Sequence, residues 1–181
     1  MMKKRDLRSD GVEIVVLRLW RHLYAYMQHK IDQAYPVAVG RPNTPTPLGV
    51  YRIINKAGDP GGPYGSRWMG LSLSGYGIHG TDDPTSIGKS ISMGCIRMYN
   101  QDINYLFNFV PADTMVRIIE TPKYLPAGYQ QPPGKPYQVK PNDTLYKLAN
   151  QFNTTVRNIV SYNHLQYTEE QIYPGQMLVI I

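Results

Sequence analysis

A mainly β domain followed by a small β-α-α-β module is the fold class that three features of this sequence predict. Fifteen Tyr stand against three Phe, beside 16 Gly and 15 Pro, a composition that favours strands joined by tight turns over long helices. Up to residue 99 the apolar residues fall in short runs bounded by turn formers. A Pro/Gly-rich linker at 122–135 then divides the 181 residues into a main domain at 12–121 and a module at 136–181.

The runs Ile14 to Leu19, Leu23 to Met27 and Ala34 to Val39 read as strands, with Gln28-His29-Lys30 as a hairpin turn. Three prolines and a closing glycine make Arg41 to Gly49 an extended loop that feeds a strand at Val50 to Asn55. A second Gly/Pro-rich loop, Gly58 to Gly65, precedes the alternating strand Arg67 to Leu73; loops so rich in glycine often line a site. Apolar residues at 103, 106, 107 and 110 predict a short helix from Asn100 to Val110, capped by Asn100 or Asp102 and stopped by Pro111, before a strand at Thr114 to Ile119. In the module, Tyr137 to Val139 reads as a strand, Pro141 to Thr144 as an N-cap turn, Leu145 to Phe152 and Thr155 to Tyr162 as helices, and Gln176 to Ile181 as the closing strand. A unit so small needs Leu145, Leu148, Val156, Ile159 and Leu178 for its core.

The net charge of +6 suits a polyanionic partner. Nucleic acid is disfavoured, because the basic residues are scattered and the one cluster, Lys3-Lys4-Arg5 with Arg8, is interrupted by Asp6 and Asp10. No signal peptide is visible, and the run Ile14 to Leu19 is too short for a membrane span and contains Arg18. A Walker sequence is absent, as is a serine-hydrolase motif.

The chemistry concentrates on Cys95, the only cysteine, which has no partner for an internal disulfide and cannot build a thiolate zinc site. Gly94 permits a sharp turn, Arg97 places a permanent cation nearby, which lowers a thiol's pKa, and His79, sixteen residues upstream, supplies a base. The Gly80 carbonyl is positioned to hold the Nδ1 proton of His79, and the amides of Gly94 and Cys95 to stabilise an oxyanion. Arg97 would orient a substrate carboxylate or pair with a core carbonyl. The remaining histidines, His22, His29 and His164, read as surface or capping residues, and Asp82-Asp83-Pro84 as a turn.

Residues 13 to 120 resemble the YkuD-type L,D-transpeptidase catalytic domain, through Tyr35 to Gly40, Thr44 to Gly49, Asn55 to Gly65, Tyr76-Gly77-Ile78-His79-Gly80-Thr81 and Ser92-Met93-Gly94-Cys95-Ile96-Arg97-Met98. The resemblance implies a β-sandwich-like fold with a short helix after the cysteine loop, Cys95 as nucleophile and His79 as base. Tyr76, Trp68 and Met93, together with Arg97, are candidate substrate-binding positions; Met93 stands where many members carry a second histidine. Residues 136 to 181 resemble a LysM module, through Tyr137-Gln138-Val139, Asn142-Asp143-Thr144-Leu145, Asn163 and Tyr173-Pro174-Gly175-Gln176. Its implied glycan-binding residues are Asn142, Asp143, Thr144, Tyr173 and Pro174, with Pro141-Asn142 where a glycine often precedes Asp-Thr.

Together these resemblances imply a cell-wall enzyme of a bacterium, located at the wall or spore surface, that handles peptidoglycan stem peptides at one domain and N-acetylglucosamine-containing glycan at the other. It would work through a Cys thioester, release D-Ala, form 3→3 cross-links and act as a monomer, with no metal or organic cofactor. An L,D-carboxypeptidase using water as acceptor, or a non-catalytic wall-binding or coat protein, are the alternatives.

Overall fold

The computed structural model of the protein describes residues 11–165 and 171–181; the basic cluster at 3–8 lies outside them. Among the described residues, ten strands build the main domain: β1 (Val12–Leu17), β2 (His22–Met27), β3 (Lys30–Pro36), β4 (Val39–Gly40), β5 (Gly49–Gly58), β6 (Arg67–Leu71), β7 (Gly77–His79), β8 (Ser90–Ser92), β9 (Ile96–Arg97) and β10 (Met115–Ile119). Eight of them form one curled sheet in the order β3-β2-β1-β10-β5-β6-β7-β9, while β4 and β8 pair apart. Helix α1 (Asn100–Phe109) follows the cysteine loop and seals the core with Ile103 and Leu106. The domain is mainly β, as the composition predicts.

Burial explains why β1 and β2 are continuous apolar runs rather than alternating ones. Ile14, Val16, Leu23 and Ala25 join the main core, while Val15, Leu17, Tyr24 and Tyr26 form a second cluster on the opposite face. That second face is covered by Leu125 and Tyr129, and the Tyr26 hydroxyl donates to the Gln130 carbonyl at 2.9 Å. The first half of the Pro/Gly-rich stretch therefore lies against the sheet.

The module contains β11 (Lys135–Gln138), α2 (Leu145–Gln151), α3 (Val156–Tyr162) and β12 (Met177–Ile180), around a core of its own that includes Leu145, Leu148, Ile159 and Leu178. Thr144 and Thr155 cap the two helices by accepting from Lys147 N and Asn158 N. Contacts tie the module to the main domain: Met177 N donates to the Gly88 carbonyl at 2.7 Å, His164 Nδ1 lies 3.0 Å from Asp102 Oδ1, and the Tyr162 ring stacks on His22.

Two sequence expectations need correction. The N-cap of α1 is Tyr99, with no side-chain cap bond. Asn100 instead accepts from Ser66 N and Thr81 N, and Asp102 is buried against His164. His22 is fully buried rather than at the surface, and His164 is a junction residue.

Candidate active site

Three adjacent strands assemble the site. Register pairs Trp68 of β6 with His79 of β7, and His79 with Arg97 of the parallel neighbour β9. Ile78 and Ile96 point into the core, so strand alternation puts Trp68, His79 and Arg97 in a row on the opposite side. One step before β9 stands Cys95, beside Gly77, whose amide faces the sulfur. Cys95 is partly exposed, its Sγ 3.6 Å from the Gly75 carbonyl, and among the described residues it makes no hydrogen bond to His79. Such contacts often tighten only when substrate arrives.

The turn that presents the thiol needs glycine at 94. Its φ is +117°, and a Cβ there would sit 2.5 Å from the Tyr76 ring. Ser92 knits the same turn, its Oγ donating to the Cys95 carbonyl at 2.6 Å and accepting from Gly94 N at 3.0 Å. The Gly94 amide is thus already engaged, which corrects its expected role as a free oxyanion donor. The Cys95 amide remains as a candidate for that role.

His79 Nδ1 lies 2.6 Å from the Gly80 carbonyl, which places the proton on Nδ1 and leaves Nε2 as the basic nitrogen. Burial pushes its pKa down to about 4; the Gly80 and Tyr64 carbonyls oppose that shift, and the Arg97 cation adds to it. Burial also pushes the Cys95 thiol up, against the Gly77 amide and Arg97. The sequence suggested an acidified thiol; the structure gives the reverse, because burial outweighs the cation. Near pH 7 the resting pair is neutral, and a proton must move during attack. Alkylation of Cys95 by iodoacetamide is accordingly expected to accelerate with pH up to and beyond the ordinary thiol value of 9.0, with no plateau near neutrality.

Arg97 forms no ion pair among the described residues, and its buried Nε has no partner, so the core-carbonyl alternative finds no support. Met93 is 75% exposed at the rim. The site also contains residues that sequence reasoning left without a role in it. Asn55 accepts from Trp68 Nε1 at 3.0 Å, Tyr64 packs edge-on to His79, and Asn100 latches the 61–66 loop to Thr81. The glycine-rich composition of that loop, and its place in the segment Asn55 to Gly65 that carries the family resemblance, were the available signals.

In the module, Asn142 adopts φ +68°. Asp143 Oδ2 accepts from Lys140 N at 2.7 Å and from the Tyr137 hydroxyl at 2.9 Å; the Lys140 amide holds its carboxyl below the usual range. Asp143 and the capping Thr144 therefore shape the loop. Tyr173 sits with its ring 5.0 Å from Lys89 Nζ of the main domain, and Pro174 is exposed next to it. No group of three or more His, Cys, Asp or Glu suited to a metal ion occurs among the described residues. No helix there is long and apolar enough to cross a membrane.

Buried neutral histidines carry a pH consequence. His22 and His79 both have pKa values pushed down to about 4 by burial, against 6.5 unfolded. Their contribution to stability is complete above 6.5 and is lost as pH falls toward 4, at a cost of roughly 3 kcal/mol each. Urea denaturation at pH 7 and pH 4.5 should show this loss, with a smaller difference in His79→Gln; equal stability at the two pH values would contradict it.

A curled mainly β sheet thus carries a Gly-Cys turn beside a strand-borne histidine. Residues 12–118 match YkuD, the L,D-transpeptidase catalytic domain, and 137–180 match the LysM domain. The chain belongs to the YkuD L,D-transpeptidase family and carries a C-terminal LysM domain. It is 49% identical over 92 residues to the putative L,D-transpeptidase YkuD of Bacillus subtilis, covering 51% of this chain and 56% of that one. Identity to the putative L,D-transpeptidase YkuD of Bacillus licheniformis is 48% over 98 residues, covering 54% and 59%. The chain thus spans less than two thirds of either relative. Among solved structures, a cysteine-to-serine mutant of the Enterococcus faecium L,D-transpeptidase superposes with TM-score 0.53 at 29% identity, over 61% of this chain and 50% of that one.

Proposed function

We propose that the protein is a cysteine-dependent L,D-transpeptidase of the bacterial cell wall that acts on peptidoglycan stem peptides. The observation that carries the reading is the sole thiol, partly exposed on a Gly94 turn beside the strand of His79. In the proposed reaction, Cys95 loses its proton to His79 Nε2 as sulfur attacks the carbonyl of the third stem residue. The C–N bond to the terminal D-Ala then breaks, the amine leaves with the proton from His79, and a thioester remains. The amine of another stem attacks the thioester, restores the thiol and leaves a 3→3 cross-link. Arg97, cationic and without an ion-pair partner among the described residues, suits a stem carboxylate. The LysM domain would hold glycan, and its docking on the main domain through Gly88 would keep stems near Cys95.

Mass spectrometry of products from purified disaccharide-tetrapeptide tests the reading. Cross-linked dimer with released D-Ala is the expected result. Tripeptide alone would make the protein an L,D-carboxypeptidase, and no D-Ala with no acyl adduct would leave a non-catalytic wall-binding protein.

A further inference from the structure

We propose that Trp68, held by Asn55, is a positioning residue for His79 that stabilises its imidazolium during acyl transfer. This inference rests on the assignment of Cys95 and His79 above. The Trp68 and His79 rings lie nearly parallel, at 20° with centroids 5.6 Å apart, and Tyr64 meets both rings edge-on at 5.1 and 5.0 Å. The strand register that pairs Trp68 with His79 supports this stack from the backbone.

Space for the indole is made on purpose by its neighbours. A Cβ at Gly77 would stand 2.6 Å from the Trp68 ring, and one at Gly70 would stand 2.4 Å from Asn55 Oδ1, the atom that accepts from Trp68 Nε1. Asn55 thereby fixes the indole in its plane, and the indole with Tyr64 fixes the imidazole. An imidazole that takes a proton from a thiol becomes a cation in a site that otherwise opposes it, since burial and Arg97 both disfavour the charged ring. An indole face within about 6 Å of a cation attracts it. Trp68 therefore acts on His79 when the ring is charged, and Tyr64 adds its backbone carbonyl to that of Gly80.

The test compares wild type with Trp68→Leu, Trp68→Phe and Asn55→Ala in the full chain. For D-Ala release, Trp68→Leu should lower kcat by about 3- to 10-fold with KM within about twofold. Trp68→Phe should recover most of kcat because it restores a π face, and Asn55→Ala should fall between them. In NMR titration of the imidazole, the His79 pKa should drop by about half a pH unit in Trp68→Leu and much less in Trp68→Phe. A raised KM with kcat intact would make Trp68 a substrate contact and overturn the proposal. So would an unshifted His79 titration in Trp68→Leu. The titration needs no turnover, so it decides the point even if product mass spectrometry shows the transpeptidase reading itself to be wrong.

Discussion

Cys95→Ser is expected to abolish D-Ala release, by on the order of 10⁴-fold or more, while leaving the folded protein's stability within about 1 kcal/mol. The two halves of this expectation have separate causes. The thiol contributes little to the fold, since among the described residues it meets only backbone groups, the Gly75 carbonyl at 3.6 Å and the Gly77 amide, and joins no core cluster. The Gly94 turn is held by Ser92 and Tyr76 instead, so the loop survives the exchange of sulfur for oxygen. Chemically the exchange is severe, because a serine hydroxyl is a weaker nucleophile and here must be deprotonated by a histidine whose pKa is held at about 4. Thermal denaturation and D-Ala assay of the same preparation check both halves. Residual turnover near wild type would remove Cys95 from the mechanism, and a large loss of stability would make it a structural residue.

That Cys95 and His79 come from neighbouring short segments was legible in the sequence because the signals are local. Gly-Cys-x-Arg and the Gly-flanked histidine sit on short strands whose alternation fixes their direction. The module helices were legible for a similar reason, Thr144 and Thr155 being N-caps whose spacing is local. Contacts between distant segments were not. The bond between His164 and Asp102 spans 62 positions, and the second buried face of β1 is created by Leu125 and Tyr129 more than a hundred residues on. Asn100 was placed at a helix start correctly and given the wrong task, since helical propensity says nothing about the Ser66 and Thr81 amides that claim its side chain. The direction of the thiol pKa was misjudged because sequence displays the nearby cation but not the burial that outweighs it.

Asn163→Ala is expected to unfold the LysM domain, or to bring it to the edge of unfolding. The Asn163 side chain is fully buried and makes three hydrogen bonds: Nδ2 donates to the Ile159 and Val179 carbonyls at 2.9 Å each, and Oδ1 accepts from Val179 N at 2.8 Å. Val179 thus turns both its backbone groups away from β11, where its register partner Pro136 has no N–H to offer. One amide side chain does for β12 what a third strand would do. Truncating it strands buried backbone groups of Val179, at roughly 1–3 kcal/mol apiece, in a unit too small to hold much stability in reserve. Thermal unfolding should show the module's transition lost or shifted sharply down, and co-sedimentation with purified sacculi should fall with it. D-Ala release from soluble disaccharide-tetrapeptide should persist, because among the described residues neither Cys95 nor His79 draws a hydrogen bond from the module. An unshifted transition would show that Val179 finds other partners. Loss of soluble-substrate activity would instead show that the docked module, through Met177 on Gly88 and His164 on Asp102, holds the shape of the main domain as well as its own.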